Sequence, residues 1–485
     1  MIAGLLQLPN ELLFVILHEL DLLSLVHCTE VCRALHSIVD SSSLLQYRLH
    51  LALSGMKDGP PGIDGTITRL NKLKAHQEAW QNVKWSTRQT FPLQSVQLWE
   101  LAGGILAFTH CKKSFTFIQL PSIYRGIKQK EWNIEVDNKF DVADFSMDIS
   151  NDLLVLIVKG NGNREETLFK IHLLSLSTGK PHPSTSSPIL DFQSRAVDDE
   201  WTFEIRISGQ YLGIMFSGLI TEKLVMWNWQ NGTFLQYRKE IVSFAFLTDE
   251  LVLMSQIRDG LHLELIVVDI NVRNGYLCRL DLPDPHDDMD IFDISIHSES
   301  YRCHSGNVPF TTSFDDRLFV VFYTLFNIRT EGGATYALFI PLSTIMSVIE
   351  RQEIDHTWQS WGPKGSRMLQ LGCPADVWVC YMHGLKAAVF EKDTKEIQLL
   401  DFNQLALKYD LAKNEQSQTK LLPEETVISG AFMKSVHTSL GGRVRTVALP
   451  ADSAMAVMFS EDALLVICRD DESDTEREDM VVFSF

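Results

Sequence analysis

The sequence has no C-x-x-C pair, no basic segment at its start, and no apolar run near the roughly 20 residues that a membrane helix needs. Its eight cysteines are scattered along 485 residues, which fits reduced thiols in a cytoplasmic or nuclear protein better than a disulfide framework. Positive charge is in short supply. The 43 Lys and Arg face 62 Asp and Glu, and the net charge of −19 repels phosphate backbones and anionic lipid. Neither nucleic acid nor a membrane is expected as the main partner. Enzyme signatures are missing as well: there is no G-x-S-x-G elbow, G-x-x-x-x-G-K-[ST] loop, G-x-G-x-x-G turn or H-E-x-x-H helix. The expectation is a protein without catalytic residues, metal or cofactor.

What remains is a globular composition, 45% apolar and 22% charged with mean hydropathy near zero. The chain opens on "LPNELLFVILHEL", residues 8–20. There Leu12, Leu13, Ile16, Leu17 and Leu20 recur at helical spacing, Pro9 and Asn10 suit a helix start, and Glu11 suits its first turn. In the next stretch Leu22, Leu25, Val26, Val31, Leu35 and Ile38 again mark helix faces, and Ser41 to Leu45 begins a third helix reaching about Leu53. Three helices in about fifty residues bury little by themselves. A helical cap packed on the rest of the protein would explain the periodicity equally well.

The order of residues carries more. L-P-x-E-L-L-x-x-I-L-x-x-L, followed by D-L-L-x-L and E-V-C-R-x-L, resembles the F-box motif over residues 8–48, with Leu8, Pro9, Glu11, Leu12, Ile16, Leu17, Leu20, Leu25, Val31, Cys32 and Arg33 in the matching places. Leu35 stands where a tryptophan is usual. The resemblance implies a three-helix module over residues 1–53 that docks on a Skp-family linker protein and, through it, on a cullin. The same resemblance implies that Leu8, Pro9, Glu11, Leu12, Ile16, Leu17, Leu20, Leu25, Val31 and Cys32 form the linker-binding set, with Leu8, Pro9, Leu12 and Ile16 offered outward.

Residues 54–90 join this module to a larger body. "SGMKDGPPGIDGT" holds four glycines and two prolines and reads as an exposed loop. Ile67, Leu70, Leu73, Trp80 and Val83 then predict a connecting helix from about Ile67 to Trp85. This join also resembles a group of fungal F-box proteins in which it leads into a large β domain.

After Phe91 the hydrophobic period changes from 3.6 to 2. Seven apolar strands start at Gly103, Asn151, Gly209, Asp249, Asp316, Ala375 and Glu461, 40 to 86 residues apart, and second strands follow, as at Lys170, Lys223 and His262. That spacing predicts a mainly β protein whose residues 91–485 form a seven-bladed β-propeller, with stacked sandwiches as the competing architecture. The terminal run "DMVVFSF" is expected to complete a blade begun by the first β segment after Phe91, which removes an open edge.

Two clusters invite a metal argument and are set aside. Cys28, Cys32 and His36 are strung over two helical turns and cannot surround one ion, and Cys303–His304 is a lone pair. The acidic runs Arg469 to Asp479 and Asp281 to Asp290 read as solvated loops. Loops around Arg164, Tyr301 and Arg329 are candidates for substrate contact. Two readings follow: an adaptor whose propeller holds an unknown protein substrate for a cullin-RING ubiquitin ligase, or a propeller enzyme or small-ligand binder with a decorative helical cap. A propeller enzyme should gather titratable side chains at one mouth of the ring.

Overall fold

The computed structural model describes residues 5–62, 64–93, 96–137, 140–160, 166–194, 200–218, 222–258, 262–272, 275–299, 308–371, 382–391, 394, 396–413, 420–448, 454–470 and 477–485. Four helices, not three, open the chain: α1 (Asn10–Glu19), α2 (Leu22–Val31), α3 (Arg33–Ser41) and α4 (Ser43–Ser54). The expected second helix is split because Cys32 is fully extended, with φ −160° and ψ 158°. Local caps fix the other starts. The Asp21 carboxylate accepts from the Ser24 amide at 2.9 Å, and Ser42 Oγ accepts from the Leu45 amide at 3.3 Å. Leu17, Leu25, Leu35, Val39 and Leu45 are buried together as the small core of the module.

The presumed exposed loop after α4 does more than connect. Gly55 reverses the chain in the left-handed region at φ 67°, and Met56–Asp58 then pairs antiparallel with Phe310–Thr312 of the β body. Helix α5 (Thr66–Asn82) follows, somewhat shorter than its periodicity predicts, and Val83 ends it at φ 48°. Tyr47, Leu51, Met56, Leu70 and Leu73 share a core with Phe310. The Asn403 amide donates to the Ala52 and Leu53 carbonyls. The module is therefore fused to the body, because these helices have apolar faces that only the β domain can cover.

The body is a ring of seven sheets. Blade 1 spans Leu98–Glu135, blade 2 begins at Val142, blade 3 at Thr202, blade 4 at Ile241, blade 5 at Met289, blade 6 at Met382 and blade 7 at Ala454. Six of the seven apolar segments that announce the strands in the sequence are the second strands of their sheets, such as Leu153–Gly160 in blade 2 and Tyr211–Ser217 in blade 3. The run starting at Ala375 lies outside the described residues except for Met382, which stands in the first strand of blade 6. Each of these strands is buried on both faces, so it reads as a continuous hydrophobic run.

Closure differs from the expectation in one respect. Blade 1 is complete without help from the C-terminus, and the last strand, Arg477–Ser484, is joined instead by Thr87–Pro92, with Thr87 opposite Ser484 and Pro92 opposite Asp479. The β body thus starts before Phe91. An N-terminal strand added outside the C-terminal one removes the open edge and makes the ring one cooperative unit.

Candidate docking face and axial cavity

Helix α1 has two apolar faces. Leu13 and Leu17 are buried, Leu17 in the module core, whereas Leu12, Val15 and Ile16 form a stripe at i, i+3 and i+4 that is left in solvent, with Leu12 51% exposed. Leu5 and Leu6 extend this patch on the N-terminal side, and Pro9 at the N-cap of α1 is exposed beside it. Leu23 and Val31 add exposed apolar surface on α2.

A second concave feature lies on the ring axis. It is a cavity of about 810 Å³ to which the first strand of every blade contributes. Those strands alternate in a way that explains the lining. In blade 3, Glu204 and Arg206 face the axis while Ile205 and Ile207 pack into the blade; in blade 5, Asp293, Ser295 and His297 alternate with buried Ile294 and Ile296. Glu204 accepts from Arg206 at 2.8 Å and from Ser243 Oγ at 3.1 Å, and Glu100 accepts from Ser146 Oγ at 2.9 Å. Burial pushes the Asp144 carboxyl up to about 6, against the Phe145 amide and Lys112, and raises that of Asp293 despite bonds from Ser295 and the Ile294 amide. Burial, then Arg206, brings His297 down to about 3, so its imidazole is neutral.

At the other end of these strands the polar groups are paired more tightly. Arg125 bridges Asp462 at 2.6 Å and Glu461 at 2.8 Å, and Ser122 Oγ donates to Asp462 at 2.7 Å. Burial works against a charged Asp462, but Arg125, His76 and Ser122 outweigh it and hold the carboxyl far below its usual range. His383 and Glu299 form a buried pair at 2.9 Å. Burial disfavours the imidazolium, yet the Glu299 charge and hydrogen bond prevail and raise the His383 pKa. Helix α5 sits over this end, with Trp80 Nε1 and His76 Nε2 both within 3.1 Å of the Glu461 carbonyl.

Residues 5–47 match the family model of the F-box domain. The chain carries an F-box domain ahead of a seven-bladed propeller. No curated protein matches the sequence. Among solved structures, the tricorn protease aligns with TM-score 0.32 and 11% identity over 79% of this chain, which spans only 33% of the protease. The Dos1 propeller aligns with TM-score 0.32 and 10% identity over 80% of this chain and 78% of its own, and Sqt1 from Chaetomium thermophilum with TM-score 0.30 and 9% identity over 80% and 83%.

Of the F-box residues that the motif offers to a partner, Pro9, Glu11, Leu12, Ile16 and Val31 are exposed, and Leu8, Leu20 and Cys32 are half-buried. Leu17 and Leu25 belong elsewhere: both are buried in the F-box core and hold its helices together. The motif misses Leu5, Leu6, Val15 and Leu23, which share the exposed apolar surface. For Val15 the i, i+3, i+4 stripe with Leu12 and Ile16 was a readable signal. Among the described residues no group of three or more His, Cys, Asp or Glu could hold a metal ion, and no helix is long and apolar enough to cross a membrane. Of the candidate loops, Arg329 is on the blade 5 hairpin, paired to Asp288 at 2.7 Å, while Arg164 and Tyr301 lie outside the described residues, as do Cys303 and His304.

Proposed function

We propose that this protein is a substrate-recognition adaptor of an SCF-type cullin-RING ubiquitin ligase, its F-box docking on a Skp-family linker and its propeller holding a protein substrate. The observation that carries the reading is the unpartnered apolar stripe of Leu12, Val15 and Ile16, flanked by Leu5, Leu6 and Pro9, on helices that already possess a core of their own. A soluble domain does not keep such a patch in water without a use for it. Pro9 adds rigid apolar surface with no N–H to leave unpaired on docking. The fusion of α4 and α5 to the ring then fixes the distance between linker and substrate, which suits ubiquitin transfer.

The test is capture of a Skp-family protein by wild type and by the double change Pro9→Ala with Leu12→Ala. Losing this contact should remove roughly 2 to 4 kcal/mol, a drop of about 30-fold to nearly 1000-fold in affinity. The melting curve should barely move, since both side chains are exposed. Wild-type protein that captures no linker, or a double variant that binds as well, overturns the adaptor reading.

The axial cavity favours a second reading, an enzyme or small-ligand-binding propeller, because it gathers titratable groups from six of the seven blades, blade 4 adding only Val242 and Ser243. Thr312, His383 and Glu299 even stand in the order of a hydroxyl–imidazole–carboxylate relay, at 2.6 and 2.9 Å. One fact speaks against catalysis there: the space at Thr312 is about 20 Å³, enough for a water and not for a substrate.

A further inference from the structure

We infer that the axial cavity is the place where the propeller grips its substrate, and that it takes the ammonium or guanidinium end of a Lys or Arg side chain carried on an extended protein segment. The inference rests on the adaptor reading and gives its substrate a chemistry.

Charge inside the cavity is one-sided once internal pairs are removed. Arg206 is taken by Glu204, Arg125 by Glu461 and Asp462, and Glu299 by His383. Asp144 and Asp293 remain, on blades 2 and 5 and so on opposite walls of the ring, and among the described residues neither forms an ion pair. Both pay for burial in their own protonation equilibrium, which a bound cation would relieve. A phosphorylated or otherwise anionic segment would be repelled by the same walls.

Two further observations point to a ligand. At the inner end, Ser460 and Glu461 line the cavity, and Ser460 Oγ makes no hydrogen bond although the residue is only 7% exposed. A buried hydroxyl left open in this way can be satisfied by a polar group that is not part of the chain. At the outer end, where the first strands of the blades begin, exposed Thr202 lines the cavity, so the space reaches the surface there. Phe292 immediately precedes Asp293 and is 81% exposed, and Phe326 and Ile328 on the adjoining hairpin are exposed as well. An aromatic and aliphatic rim beside an acidic hole suits a peptide with one basic anchor better than a free polyamine. This mouth is on the face away from α5, the face that F-box docking leaves open.

The experiment uses the full chain bound to its Skp-family linker. Titrants are acetylated and amidated pentapeptides that differ only in the central residue (Lys, Arg, Nε-acetyl-Lys, Gln or phosphoserine), with spermidine alongside. Lys or Arg peptides should bind, and the acetyl-Lys, Gln and phosphoserine peptides should bind at least about tenfold more weakly. Asp144→Asn with Asp293→Asn should lower Lys-peptide affinity by at least about tenfold while linker capture holds and the melting temperature does not fall. Phe292→Ala should weaken the peptide and leave spermidine unaffected. No saturable binding of Lys or Arg peptides at millimolar concentration overturns the inference, as does binding of spermidine alone or indifference to the Asp substitutions. Linker capture that persists in those cases leaves the adaptor reading standing; Lys-peptide binding to a chain that captures no linker removes the adaptor reading instead.

Discussion

Changing Phe485 to alanine should be the most damaging single truncation at the end of this chain. Its ring is fully buried and stacks on Trp80 with centroids 4.0 Å apart and planes inclined by 21°. Its amide donates to the Asp462 carbonyl at 2.8 Å, so the backbone is fixed and cannot collapse into the space the ring leaves. Deleting a buried phenyl group under those conditions costs about 3–5 kcal/mol, a large share of the roughly 5–15 kcal/mol that holds a domain folded. The loss should spread to α5, because Trp80 both covers Phe485 and donates to Glu461. The assay is equilibrium urea unfolding of Phe485→Ala beside Phe292→Ala, which removes the same atoms from a side chain that is 81% exposed and should fall within about 0.5 kcal/mol of wild type. A loss below about 1 kcal/mol for Phe485→Ala, or equal losses for the two, refutes the claim that the terminal residue locks the ring to the helix.

Removal of residues 481–485 takes a strand away from both Ala463–Val466 and Thr87–Thr90 and should leave no cooperatively melting protein; an unchanged melting curve would refute ring closure. Leu25→Ala, in the F-box core, should cost about 2–5 kcal/mol locally and abolish linker capture by unfolding, seen as lost amide-exchange protection over residues 10–54, whereas Pro9→Ala with Leu12→Ala should lose capture with protection intact. Asp144→Asn tests the cavity electrostatics by pH. With its pKa raised from 3.8 to about 6, native Asp144 holds its proton more tightly than the unfolded chain, so wild-type stability falls as pH climbs from about 4 to about 6 and stays low above that. The variant, which cannot ionise, should be more stable by roughly 1–3 kcal/mol at about pH 8 and match wild type near pH 4; a difference that does not shrink on acidification would rule out the buried charge as its source.

The order of apolar and charged residues in the first fifty positions sufficed to place the F-box, because a motif that must meet a partner is written in consecutive residues. The strands at Asn151, Gly209 and Asp249 were equally legible, since strands covered on both faces leave an unbroken apolar signature. Six of them, with the run at Ala375, supplied the blade count. The first strands of the other six blades went unread for the opposite reason: each packs on one side only, and runs such as Asp293-Ile-Ser-Ile-His or Glu204-Ile-Arg-Ile alternate too briefly to stand out from loops. Which of two leucines one turn apart faces a partner was also undetermined, since Leu12 and Leu17 differ only in the side of α1 that the other helices cover. Sequence thus determined the modules and their number, which depend on local period. The tertiary structure alone decided that Thr87–Pro92 closes the ring, that the helices are bonded to it, and that carboxylates from blades far apart in sequence converge on one axis, because each of these depends on contacts that no local pattern encodes.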